Sequence, residues 1–176
     1  CSSDLVYIIK NLGNGNFSAQ PIVYEVLGNV QGGTFIQDIN GDGYNDIVAG
    51  GGSATVSVLL NNGNGTFAPY HSYAVNVQSY AVLSIDENGD GYPDIISSGA
   101  NFNIMSVLMN NGDGTFAAHA DFTVDGLPYH IALSDIDGDG DNDLVLANYG
   151  CGSISLIKNN GDGTFSDLTN IPLSTY

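Results

Sequence analysis

Three nine-residue stretches hold most of the side chains in this sequence that could do chemistry. They read D-I-N-G-D-G-Y-N-D from Asp38, D-E-N-G-D-G-Y-P-D from Asp86 and D-I-D-G-D-G-D-N-D from Asp135. Oxygen-bearing side chains at positions one, three and five, with glycine at six, describe a loop wrapped around a hard cation. Alternate residues point inward, and the glycine permits the sharp turn that closes the cage. The first loop offers Asp38, Asn40, Asp42, the backbone carbonyl of Tyr44, and Asp46. The second offers Asp86, Asn88, Asp90, the Tyr92 carbonyl and Asp94, and the third Asp135, Asp137, Asp139, the Asp141 carbonyl and Asp143. All-oxygen donors without His or Cys favour Ca²⁺ over zinc or copper. Several crowded carboxylates in a flexible loop favour it over Mg²⁺, which keeps its waters. Three Ca²⁺ sites per chain are therefore expected.

Two rival readings of these loops are weaker. Asp, Asn and Gly are ordinary turn formers, so each loop taken alone reads as an acidic hairpin turn. However, the three share one spacing and hold 12 of the 19 acidic residues, a crowding that repels itself without a cation. An EF-hand needs an acidic residue at position twelve and a helix after the loop. Position twelve is Ala49, Ser97 and Leu146, and β-type runs such as Asp46-Ile47-Val48 follow.

The elements that position the loops come from an internal repeat. A turn motif ends at Phe17 as L-G-N-G-N-F, at Phe67 as N-G-N-G-T-F, and at Phe116 and Phe165 as N-G-D-G-T-F. The steps between these phenylalanines are 50, 49 and 49 residues, and the acidic loops step by 48 and 49. Two independent motifs thus share one period. Each repeat reads as four short strands, in the last one His130 to Ser134, Leu144 to Ala147, Ile154 to Lys158 and a strand beginning at Phe165. Asn-Gly and Asp-Gly supply the positive φ of a tight hairpin, so strands three and four should be antiparallel neighbours. Four-stranded units at this period predict an all-β fold of antiparallel propeller blades. Val6 to Lys10 aligns with Ile154 to Lys158, so the chain opens on strands three and four of a blade. The expected division is a partial blade over 1–30 and blades over 31–78, 79–127 and 128–176, about three and a half repeats in all.

Composition agrees and narrows the function. The sequence has 176 residues, 24 of them glycine, and 2 Lys+Arg against 19 Asp+Glu give a formal net charge of −17. So acidic a surface repels phosphate backbones, which excludes nucleic acid as a partner. No stretch reaches the roughly 18 apolar residues of a membrane helix. No signal peptide precedes Cys1, so a targeting segment is expected to be processed away or to lie outside these residues. Cys151 is expected as a free buried thiol, with a Cys1–Cys151 bond between chains as the alternative. Asn16-Phe17-Ser18 and Asn64-Gly65-Thr66 match the N-glycosylation pattern. His71, His119 and His130 form no ligand spacing, and no nucleophile elbow frames any serine. An enzyme is not expected.

The loops, together with runs of the type V-x-L-L-N-N-G-x-G-T-F, resemble the FG-GAP/VCBS repeat family, over nearly the whole chain. That family includes the integrin α-subunit propeller, fungal lectins and many bacterial surface proteins. The resemblance implies a calcium-stabilised propeller module, secreted or at a cell surface, with roles in adhesion. The Gly-Ala-Pro that follows strand two in integrin-type repeats is absent. Ala49-Gly50-Gly51, Ser98-Gly99-Ala100 and Ala147-Asn148-Tyr149 stand there instead, which places the resemblance on the microbial branch.

The repeat puts the acidic loops and the N-N-G-x-G turns on one rim. The other rim gathers Tyr80, Phe102, Tyr129 and Tyr149 beside amides, a surface that could receive a glycan or an extracellular protein. A second class of function is a structural subunit that packs against copies of itself or against further blades of a longer chain.

Overall fold

A computed structural model of the chain describes residues 4–30, 33–99, 103–124, 126–149 and 151–173. The described residues are all-β. The first strands are β1 (Asp4–Ile8), β2 (Asn11–Gly13), β3 (Asn16–Phe17) and β4 (Ile22–Val26). β1 pairs with β4 antiparallel, and the small hairpin β2–β3 closes the connection between them. Three four-stranded antiparallel sheets follow, each in chain order. One holds β5 (Thr34–Gln37), β6 (Asp46–Gly51), β7 (Thr55–Leu59) and β8 (His71–Ala74). The next holds β9 (Ala81–Ile85), β10 (Asp94–Ser98), β11 (Ile104–Leu108) and β12 (Ala120–Thr123). The last holds β13 (Leu127–Ser134), β14 (Asp143–Tyr149), β15 (Ser153–Asn159) and β16 (Phe165–Pro172). No helix among the described residues is long and apolar enough to cross a membrane.

The sheets stack face to face, and the sequence of each strand follows from how many of its faces are covered. Within β6, Ile47 joins a core with Val26 and Leu59 on one side, while Val48 joins Val56, Val58, Val82 and Ile95 on the other. Within β10, Ile95 faces that second core and Ile96 faces a third, with Met105, Val107, Leu144 and Leu146. A strand covered on both faces reads as a continuous apolar run, and both strands are buried throughout. Each such side chain contributes about 1.5–3 kcal/mol by leaving water. Strands in the first and last sheets alternate instead: β1 is half-buried at Val6 and Ile8 and exposed at Leu5 and Tyr7, and β14 turns Leu144 and Leu146 inward.

Aromatic pairs repeat across every sheet boundary. Tyr24 of β4 meets Phe67 edge to face at 5.6 Å, Tyr73 of β8 meets Phe116 at 5.2 Å, and Phe122 of β12 meets Phe165 at 4.9 Å. Each pair joins the last strand of one sheet to the hairpin turn of the next. Glycine is needed where backbones approach: a Cβ on Gly50, at the end of β6, would lie 2.6 Å from the Ser79 carbonyl oxygen leading into β9.

Candidate metal centres and the tyrosine rim

Each acidic loop joins the first two strands of a sheet and ends in a carboxylate that opens the second strand. Asp46, Asp94 and Asp143 are buried there. Asp46 Oδ2 accepts the Ile39 N–H at 2.9 Å and Oδ1 accepts the Asn61 N–H at 2.7 Å. Asp94 takes the N–H groups of Glu87 at 3.1 Å and Asn110 at 2.7 Å, and Asp143 those of Ile136 at 2.8 Å and Asn159 at 3.0 Å. This one side chain straps the loop to the second strand and to the exit of the third. A carboxylate has about four lone-pair sites, so two N–H bonds still leave it able to face a cation. Burial pushes the carboxyls of Asp46 and Asp94 above the usual range, while the N–H bonds pull back.

The loop interiors are also ordered by their own acids. Asp38 accepts the N–H groups of Gly41 at 2.9 Å and Gly43 at 2.8 Å, and Asp86 accepts that of Gly91 at 2.9 Å. Asp135 accepts those of Gly138 at 2.7 Å and Gly140 at 3.2 Å. At positions three and five, Asn40 donates to Asp42 and Asn88 to Asp90, each at 3.0 Å. In the third loop, carboxylate oxygens of Asp135, Asp137 and Asp143 lie within 4.8 Å of one another. Three hard oxygen donors converging on one point suit a divalent cation such as Ca²⁺. The position-seven side chains lean on the hairpin turn of their own sheet, Tyr44 over Gly63, Tyr92 over Gly112 and Asp141 over Gly161. The loops and the N-N-G-x-G turns therefore share one rim.

Two residues of this rim escape motif reading. Lys158, on β15, sets its ammonium against Asp137 and, at 2.8 Å, against Asp139. These two bonds hold Lys158 well above the usual lysine range and pull Asp139 below the usual carboxylate range. Glu87, at position two of the second loop, is fully buried, and neither carboxylate oxygen has a hydrogen-bond partner. Burial, with Asp94 and Asp86 adding repulsion, pushes it up to about 8. The signal for Glu87 was the isoleucine, Ile39 or Ile136, at position two of the other loops.

At the opposite rim, Tyr80 and Tyr129 stack at 5.1 Å with 20° between ring planes, and Tyr129 meets Tyr149 at 5.6 Å and 46°. Tyr129 is the extra residue of a β-bulge in the β13–β14 pairing, where Pro128 opposes Asn148 and His130 opposes Ala147. Such a bulge re-aims the side chain it displaces. Tyr129 is 46% and Tyr149 67% exposed. Phe102, the fourth aromatic expected here, lies outside the described residues. Cys151 is free but exposed, a correction to the buried thiol expected from sequence, because the β14–β15 turn that carries it lies at the surface; Cys1 lies outside the described residues. His119 lies 3.9 Å from Asp121, and Ser106 donates to the same carboxylate at 2.7 Å. The acid thus stands between serine and histidine, which is not the order of a nucleophile, a base and its orienting acid.

The sequence matches the model of the FG-GAP-like repeat over residues 38–97, 86–146 and 135–176. No curated protein matches it. Among solved structures, an Agrocybe aegerita lectin described as recognising non-reducing terminal N-acetylglucosamine is similar with a TM-score of 0.60 and 24% identity, over 93% of this chain and 45% of that one. BBS1N, solved in complex with ARL6DN, is similar with a TM-score of 0.58 and 15% identity, over 98% of this chain and 48% of that one. The chain thus spans under half the length of these structures. At such identities the likeness concerns the fold alone.

Proposed function

The chain belongs to the FG-GAP-like repeat family, and on that footing we propose a calcium-stabilised propeller module, outside the cell or at its surface, that binds a glycan or an extracellular protein. Its units are the part-blade over 1–30 and the blades over 31–78, 79–127 and 128–176. Each loop would hold one Ca²⁺ through its side chains at positions one, three, five and nine and the carbonyl at seven. The ion supplies charge neutralisation, and three of them bring the formal charge from −17 to −11. The repeated carboxylate strap and the convergent acids of the third loop support this reading.

The observation that carries ligand binding is the run Tyr80–Tyr129–Tyr149 on the rim away from the ions. Exposed tyrosine rings offer an apolar face to a pyranose or a peptide, and their hydroxyls offer polar contacts at the edge. Because the similar lectin recognises terminal N-acetylglucosamine, a glycan ending in that sugar is the first probe. Arrayed glycans and extracellular matrix proteins should show saturable binding, lost in Tyr149→Ala and Tyr129→Ala with melting temperature kept. Binding that survives both substitutions, or none to either class of probe, refutes the reading.

A further inference from the structure

The turns that follow β7, β11 and β15 are built to one plan. In each, a side-chain oxygen accepts two bonds from the threonine two residues on. Asp113 Oδ1 accepts the Thr115 N–H at 2.9 Å and its hydroxyl at 2.6 Å. Asp162 Oδ1 accepts the same pair from Thr164. After β7 the place belongs to Asn64, whose Oδ1 accepts the Thr66 N–H at 3.0 Å and its hydroxyl at 2.6 Å. The threonine hydroxyl in turn accepts from the amide that opens the turn: Asn62 at 2.9 Å, Asn111 at 3.0 Å and Asn160 at 2.9 Å.

The turn therefore asks this position for one acceptor oxygen and nothing more. A backbone N–H only donates, so the Asn64 atom facing it is the carbonyl oxygen, and the amide nitrogen is left over. That nitrogen stands where Asp113 and Asp162 carry a second carboxylate oxygen. It makes no hydrogen bond among the described residues, and both Asn64 and Thr66 are exposed. Gly65 between them has no side chain to cover the amide, and the atoms nearest above it belong to the tip of the exposed Lys10 side chain, which can swing away. Asn64-Gly65-Thr66 thus presents the acceptor sequence for an N-linked glycan with its nitrogen outward and unused. The other match, Asn16-Phe17-Ser18, is arranged differently, because its serine oxygen accepts the Lys10 N–H at 3.0 Å instead of bonding its own asparagine.

We propose that Asn64 is an N-glycosylation site. The donor is an oligosaccharide carried on a lipid pyrophosphate. A bond forms between its first sugar carbon, C1, and Asn64 Nδ2, and the bond from C1 to the pyrophosphate oxygen breaks. The lipid pyrophosphate leaves with that electron pair, and the amide gives up one proton. The proposal rests on the reading of the chain as an extracellular module, since such donors are met on the secretory route. It goes beyond ligand binding: the turn lies on the rim of the acidic loops, so a glycan there leaves the tyrosine rim at the opposite end open.

The test expresses the full 176-residue chain behind a cleavable secretory leader in cultured eukaryotic cells. The purified protein, secreted or retained, is read by intact mass and peptide mapping. Wild type should carry a glycan that peptide-N-glycosidase releases and that the map places on Asn64. Asn64→Asp should lose it with melting temperature kept, since Asp113 and Asp162 already fill that place in the sister turns. Thr66→Ser should keep the glycan and Thr66→Ala should lose it. An unmodified Asn64, with or without a glycan on Asn16, would overturn the proposal. Ligand binding at the tyrosine rim is measured separately on Asn64→Asp, so its failure there counts against the ligand reading and not against this one.

Discussion

The second and third acidic loops share a spacing but live in different surroundings. The second lies under a following sheet, so its position-two side chain, Glu87, is fully buried with no partner. In the third, Ile136 is exposed and Lys158 sets its ammonium against Asp137 and Asp139. Motif position thus determines the loop's own hydrogen bonds, while the neighbouring sheet determines the fate of each outward side chain. In both loops the position-nine carboxylate makes the same two N–H bonds, because its partners belong to its own sheet.

The largest expected effect acts on what the loops share. A ligand at about 100 times its dissociation constant adds about 2.7 kcal/mol per site. EDTA should therefore lower the melting temperature steeply, as scanning calorimetry would record; an unchanged melting point would mean that no ion holds the fold. Next is Asp94→Ala, which orphans the N–H groups of Glu87 and Asn110 at about 1–3 kcal/mol each. It should destabilise the protein even in EDTA, whereas Asp90→Ala, which loses only exposed hydrogen bonds to Asn88 and Tyr92, should cost far more stability with calcium than without it. Equal losses in EDTA would erase the distinction between strap and ligand.

The contrast itself is tested at Glu87. Glu87→Ile, copying the first loop, should stabilise by roughly 1–3 kcal/mol by removing an unpartnered buried group. The sign with pH follows from a carboxyl raised from 4.5 to about 8. The folded state holds the proton more tightly, so stability present below pH 4.5 is lost as pH rises through about 8. The gain from Glu87→Ile should therefore grow between those limits, and a gain independent of pH would show that Glu87 finds a partner. The smallest effect is at Lys158. Lys158→Met, copying Met109, should tighten calcium binding by the third loop alone, because the ammonium competes for Asp137 and Asp139. Isothermal titration would show it as one class of site moving.

Much of this was legible in the sequence. The four-stranded sheets and the opening strands followed from two motifs with one period, since glycine turns and apolar runs are local properties. Of the four aromatics expected on one rim, Tyr80, Tyr129 and Tyr149 come together and Phe102 lies outside the described residues, while the β-bulge that turns Tyr129 into the stack was not legible in the register. Glu87 and Lys158 were hidden because their surroundings are set by contacts between elements, a neighbouring sheet over Glu87 and the facing loop acids beside Lys158. The burial of Asp46 was missed because a motif assigns it to an ion and is silent on the two N–H groups it also satisfies.

The central claim is that each of the three loops holds one calcium ion. Calorimetric titration of chelator-stripped protein tests it most directly. The expected stoichiometry is near three Ca²⁺ per chain, with Asp42→Ala, Asp90→Ala and Asp139→Ala each removing one. A stoichiometry near zero would contradict it.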